Sequence, residues 1–296
     1  MYVRYRISAS TTAADVLNDI TGIIGGTITA ASGLSTNAQA NSTFSGSYPS
    51  GTIYAVSYTN SSTASVISKK HNSASSYTSY ILLNASSDTT GLGVGINTST
   101  SALGKDWSSG ATITNSATMY ANKPAFLKPY YSTTNIPHEL IIILTNKSLV
   151  LIQPAHGTCI GWVDITSNGV VEKYTTSMRT VMCDFVNSQA KVPYTYKLNG
   201  TSSGYGTTTY TGIYNTAGSV PGSSLVPGGS FLTLDENNYP VIIENPSYIR
   251  SPDAGGYVNF LYGVVSLAPG VLSSKTIYNT SGVTRITYGN YAFLTE

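Results

Sequence analysis

Charge is what this sequence has least of. Asp, Glu, Lys and Arg make up 9% of its 296 residues, where a globular domain carries about a quarter. The formal net charge of +2 is too small at this length to steer a nucleic acid or an anionic membrane over long range, so neither is expected as a direct partner. Histidine is scarce as well. His71, His138 and His156 fall in unrelated contexts, and none shares metal-ligand spacing with a second His or a Cys. The two cysteines, Cys159 and Cys183, are too few for a disulfide framework. Both sit in apolar runs where a thiol behaves as a small buried hydrophobe; one bridge between them is the alternative. The longest apolar run, Leu140 to Leu144, falls far short of the roughly 18 residues of a membrane span. Met1 to Arg6 lacks the apolar stretch and cleavage site of a secretory leader, so the chain is expected to be made soluble and to stay unprocessed.

The usual signatures of catalysis are missing too. There is no Walker sequence and no Gly-X-Ser-X-Gly elbow. Gly91-Leu92-Gly93-Val94-Gly95 misplaces its third glycine for a dinucleotide fingerprint and reads as a Gly-rich strand or turn. A trio of His156, Asp164 and a serine can be written down, but in a chain this rich in Ser such a trio arises by chance. A glycosidase needs two carboxylates flanking a cleft; Glu139, Asp164, Glu172, Asp184, Asp235, Glu236, Glu244 and Asp253 are the material, and nothing in their spacing pairs them. Asp164 and Asp184, inside strand-like runs, read as a strand-end turn or a salt bridge. Asp235-Glu236-Asn237-Asn238 reads as a turn before Pro240 rather than a calcium loop. Lys69-Lys70-His71 is too short for a nucleic-acid patch and reads as a solvated loop. No catalytic, cofactor-binding or metal-binding residue is assigned.

Polarity comes instead from Ser, Thr, Asn and 23 tyrosines. Neutral hydroxyls and amides hydrogen-bond a protein or a sugar without the penalty of burying ions, and Tyr supplies rigid, amphipathic contact area. Near-zero net charge leaves little repulsion between copies. The composition therefore points to assembly or binding. Tyr130, Tyr131, Tyr194, Tyr196, Tyr205, Tyr210 and Tyr214 lie in polar, turn-rich stretches and are the candidate interface rings, with partial burial at a sheet edge as the alternative.

Periodicity gives a mainly β chain of antiparallel sandwich- or barrel-like lobes with one short N-terminal helix. Val3, Tyr5 and Ile7 alternate with Arg4 and Arg6 as a strand. Thr12 and Asp15 form a capping-box pair, Val16, Leu17, Ile20, Ile23 and Ile24 a helical stripe, and Gly25-Gly26 a stop. Such a helix is marginal alone, so Val16, Ile20 and Ile24 must meet either the chain's own sheet or a neighbouring subunit. Short runs spaced by turn residues, such as 52–58 and 80–83, continue the β pattern. Two runs joined at Asn146-Lys147, 139–145 and 148–153, are apolar on both faces, as in a sheet covered on both sides; the main core is expected there. The division expected is 1–131, strand, helix and a Ser/Thr-rich β region, and 132–296, a β domain with a long Gly/Ser/Thr/Tyr loop at about 199–230.

Several segments carry a resemblance. Tyr2-Val3-Arg4-Tyr5-Arg6-Ile7 leading to 9–20, the central Ile160-Gly161-Trp162-Val163-Asp164-Ile165, and the closing Tyr262-Gly263-Val264-Val265-Ser266-Leu267 with Val283-Thr284-Arg285-Ile286-Thr287 and Tyr291-Ala292-Phe293-Leu294 resemble virion structural proteins of tailed bacteriophages. The resemblance implies a non-enzymatic tail or baseplate subunit, assembled in the host cytoplasm with copies of itself and other virion proteins. It transfers no catalytic residue. The alternatives are a receptor- or glycan-binding fibre or spike module, a capsid decoration protein and, as the enzyme, a depolymerase with an acidic cleft.

Overall fold

A computed structural model describes residues 1–7, 12–35, 41–60, 64–74, 78–85, 92–97, 138–167, 180–191, 210–215, 232–234, 240–242, 245–250, 258–266, 277–280 and 283–296. Strand β1 (Tyr2–Ile7) is followed by helix α1 (Ala13–Ile24) and the short β2 (Thr43–Ser45). Next come β3 (Tyr54–Asn60), β4 (Ala64–Lys70), β5 (Thr78–Ala85) and β6 (Leu92–Asn97). The central strands are β7 (His138–Leu144), β8 (Ser148–Gln153), β9 (Thr158–Ser167), β10 (Thr180–Asp184) and β11 (Gln189–Lys191). The remainder are β12 (Tyr210–Asn215), β13 (Leu232–Leu234), β14 (Pro240–Ile242), β15 (Asn245–Arg250), β16 (Val258–Ser266), β17 (Ile277–Thr280), β18 (Val283–Tyr288) and β19 (Tyr291–Leu294).

The chain is mainly β, as its periodicity requires. One 13-stranded sheet runs β17-β18-β19-β16-β15-β12-β11-β10-β9-β8-β7-β1-β2, and β16 also pairs with β9. That extra pairing curls the sheet back on itself into a half-barrel. A second, four-stranded sheet is the meander β3-β4-β5-β6, and β13 pairs with β14. Every pairing among the described residues is antiparallel, from Tyr2 opposite Ile143 to Tyr288 opposite Tyr291.

Two apolar layers hold this together, and the central strands feed both. Leu140, Ile142 and Leu144 of β7, with Leu149 and Leu151 of β8 and Ile160 and Trp162 of β9, face α1 and the small sheet. The alternate residues Ile141, Ile143, Val150, Ile152, Cys159 and Val163 face the other way, towards Phe185, Leu261, Ile286 and Phe293 inside the curl. Side chains alternate across a strand, so a strand covered on both sides needs apolar residues on both faces: β8 is buried at all six positions and apolar at the central four, Leu149 to Ile152, with the polar Ser148 and Gln153 at its ends. Gly161 belongs to this closeness: a Cβ there would lie 2.9 Å from the Phe185 ring. Phe185 in turn sits edge-on to Phe293, with ring centroids 4.8 Å apart. Cys159 and Cys183 are free and buried rather than bridged, and burial pushes both thiols up.

Helix α1 forms as its sequence dictates. Thr12 Oγ1 accepts from the Asp15 amide at 3.1 Å, and Asp15 Oδ2 accepts from the Thr12 amide at 2.9 Å, closing the capping box. Val16, Leu17, Ile20, Ile23 and Ile24 are buried in the first layer, against β3, β4 and β5. Gly26, at φ +76°, takes the left-handed turn that follows the helix.

Three expectations meet the structure here. Across the expected 131/132 boundary, β1 and β2 pair into the sheet built by β7 and its successors. The expected long loop at 199–230 contains β12, which pairs with β11 and β15; its Tyr-Thr-Gly-Ile-Tyr run has the aromatic and β-branched content that suits a pleated surface. Lys69-Lys70-His71 is not a solvated loop: Lys69 and Lys70 end β4, and Lys69 is fully buried.

Candidate functional site

A buried Lys-Asp pair lies where the two sheets meet. On β4, Ser65, Ile67 and Lys69 share one face, and all three are buried. On β9, Asp164 shares its face with Ile160 and Trp162, the face turned towards α1 and the small sheet. Lys69 Nζ and Asp164 Oδ1 lie 2.5 Å apart, and neither side chain has any solvent exposure. Thr180 stands directly opposite Asp164 in the β9–β10 register, and its Oγ1 donates to the same Oδ1 at 2.6 Å. His71 Nδ1 is 3.3 Å from the other carboxylate oxygen, Oδ2. Neither of those two atoms has a well-formed hydrogen bond among the described residues. The Tyr54 ring lies 5.7 Å from Nζ, and its hydroxyl donates to the Thr145 carbonyl at 2.9 Å.

Burial lowers the Lys69 ammonium from its ordinary range, against the pull of Asp164. Taking the lysine out of water disfavours its charged form, while a neighbouring carboxylate favours it. Burial pushes the Tyr54 phenol up, and the charge of Asp164 adds to this. The cluster is thus a dry Lys-Asp pair with a hydroxyl on one carboxylate oxygen and an imidazole beside the other. Its parts come from β3, β4, β9 and β10 and from His71 just past β4.

A second buried polar pair joins α1 to β1. Tyr5 donates to Asp19 Oδ2, and the Ser35 amide donates to both Asp19 oxygens, at 3.1 and 3.2 Å. Burial raises the Asp19 carboxyl, and the bonds from Tyr5 and Ser35 only partly offset it.

A cleft of about 660 Å³ is bordered by Tyr2, Ser45, Ser47, Tyr48, Asn146 and Thr284, among others. Tyr48 donates to the Ile24 carbonyl, and burial pushes its phenol up to about 12, so it remains protonated. Neutral hydroxyls, an amide and two phenol rings line this cleft together with the N-terminal ammonium of Met1 and the acidic Glu296.

Of the candidate interface residues, Tyr130, Tyr131, Tyr194, Tyr196 and Tyr205 lie outside the described residues. Tyr210 and Tyr214 are on β12, and their side chains lie outside the description. Val16, Ile20 and Ile24 have no exposed surface; they pack on the chain's own sheets and present no face to a neighbouring subunit. Asp164 and Asp184 take the roles their positions suggested. Asp164 is in the ion pair, and Asp184 Oδ1 caps a turn by accepting from the Val186 and Asn187 amides at 3.0 and 3.1 Å. Glu139 pairs with Arg4 at 2.6 Å on the surface. The side chains of His138 and His156 and the segment 235–238 lie outside the description. Among the described residues no group of three His, Cys, Asp or Glu stands close enough to hold a metal ion.

The Lys69 cluster was missed because each half looks ordinary alone. Two signals pointed to it: Lys69 continues the period-two face of Ile67, and a carboxylate between Val163 and Ile165 needs a buried partner. Comparison with protein-family models, with curated proteins and with solved structures finds no match for the chain.

Proposed function

We propose that this chain is a non-enzymatic structural subunit of a tailed-phage virion, in the tail or baseplate, joining copies of itself and other virion proteins through a surface of hydroxyls, amides and phenols. The observation that carries this reading is where the few charges go. Lys69, Asp164, Asp19 and Asp184 are all buried, engaged in pairs and turns that hold the fold. Withdrawing these ions leaves an already charge-poor surface with still fewer charges beside such exposed ones as Arg4 and Arg6, which suits close contact with neighbours held in place by many weak bonds. The likeness of 2–20, 160–165 and the closing strands to virion proteins supplies the assembly.

The test is incorporation. The full chain is expected to co-purify with particles through density-gradient banding and to occupy a symmetric position in a particle map, where the local axis distinguishes a tail ring from a shell. A chain that stays monomeric and is absent from purified particles overturns the proposal.

A further inference from the structure

We propose that Lys69 and Asp164 are joined by an intramolecular isopeptide bond, Nζ to Cγ, which covalently staples the small sheet to the large one. This goes beyond the assembly role and does not rest on it. The two groups are held together as a hydrogen-bonded ion pair: Nζ donates to Oδ1 at 2.5 Å, one C–O bond from the carbon to be attacked, and both groups are fully buried. Amines and carboxylic acids resist condensation in water chiefly because both are ionised there. In a dry site the isolated charges are disfavoured, and an amine that loses its proton becomes a nucleophile. The burial that lowers the Lys69 ammonium acts in that direction. Holding the two groups together supplies the proximity that a bimolecular reaction lacks.

The two carboxylate oxygens are differentiated in the way the step requires. Oδ1 accepts from Thr180 at 2.6 Å. This hydrogen bond stabilises negative charge developing on that oxygen, and Oδ1 becomes the amide carbonyl. Oδ2 faces His71 at 3.3 Å and is the oxygen that leaves. Starting from the ion pair, the Nζ–Cγ bond forms, the Cγ–Oδ2 bond breaks, and Nζ gives up two of its three protons. Both leave on Oδ2 as one water molecule, with His71 as the carrier. Nothing is oxidised or reduced. The electrostatic surroundings are the Tyr54 ring, 5.7 Å from Nζ, and the Lys147 charge, which further disfavours the ammonium.

The experiment is the mass of the intact, purified full-length chain under denaturing, reducing conditions, followed by tryptic mapping. The chain is expected to be lighter than its sequence by one water, and the peptide 7–70 is expected to be joined to 148–173, with no cut after Lys69 because an acylated lysine is not a trypsin site. Lys69→Met is expected to restore the full sequence mass. In chains pulse-labelled during expression and followed by mass from synthesis, His71→Ala is expected to join about a hundredfold more slowly than wild type, the scale of a lost proton carrier. A wild-type chain at full sequence mass overturns the proposal, as does a lost water that maps within a single peptide. Joining by His71→Ala at the wild-type rate overturns the role of the imidazole.

Discussion

Asp19 shows how this protein spends a charge. Its carboxylate is nearly enclosed, at 4% exposure, and takes hydrogen bonds from Tyr5 and the Ser35 amide. Burial raises its pKa all the same, so the folded state holds the proton more tightly than the unfolded chain. The sign follows by linkage: stability from this group is fully present below the unfolded value of about 4 and is lost as pH rises through the higher folded value. Asp19→Asn keeps an acceptor for Tyr5 without the charge. The gap between the urea midpoints of variant and wild type is therefore expected to move in favour of the variant as pH is raised from below about 4 towards neutrality. Parallel midpoint curves would show that Asp19 carries no such linkage. At this scale the role of Asp164 was legible from its place in an apolar strand and that of Lys69 was not, because its partner lies 95 positions away and side-chain burial is a property of two strands together.

At the scale of the element, α1 was the most legible feature, since its cap, stripe and stop are all local. Thr12 is exposed, so its replacement disturbs the cap and little else. Thr12→Ala is expected to lower stability by about 1 kcal/mol, read as a shift in denaturation midpoint at unchanged slope. Asn18→Ala, on the exposed side of the same helix, is expected to cost nothing, because alanine is the better helix former. Equal losses at both positions would place the effect in the helix body. The strands divide along the same line. β7 and β8 were plain from unbroken apolar runs, whereas β15 begins Asn245-Pro246 and was not foreseen. Proline removes a ladder donor, and the β15–β16 register shifts between Pro246 and Tyr248, the kind of irregularity at which a strand tolerates it. The polar run 199–230 concealed β12 for a related reason: its strand character depends on β11 and β15 beside it.

At the scale of the whole molecule, the proposed assembly through a charge-poor surface has a measurable consequence. Association built on hydroxyls, amides and rings should depend little on salt, since screening acts on exposed charges. Self-association followed by sedimentation is expected to change by less than about tenfold between low and molar salt, and a steep fall would mean that ion pairs carry the contact. The same architecture separates two kinds of information. Composition and periodicity by themselves determined that this is a mainly β, charge-poor chain with one capped helix and its densest core at β7 and β8, because alternation along a strand records which faces lie away from water. Only the tertiary structure decided that β1 joins β7, that the sheet curls until β16 meets β9, and that Lys69 reaches Asp164. Those are pairings between distant segments, and the free energy of bringing them together resides in the contact and not in either stretch of sequence.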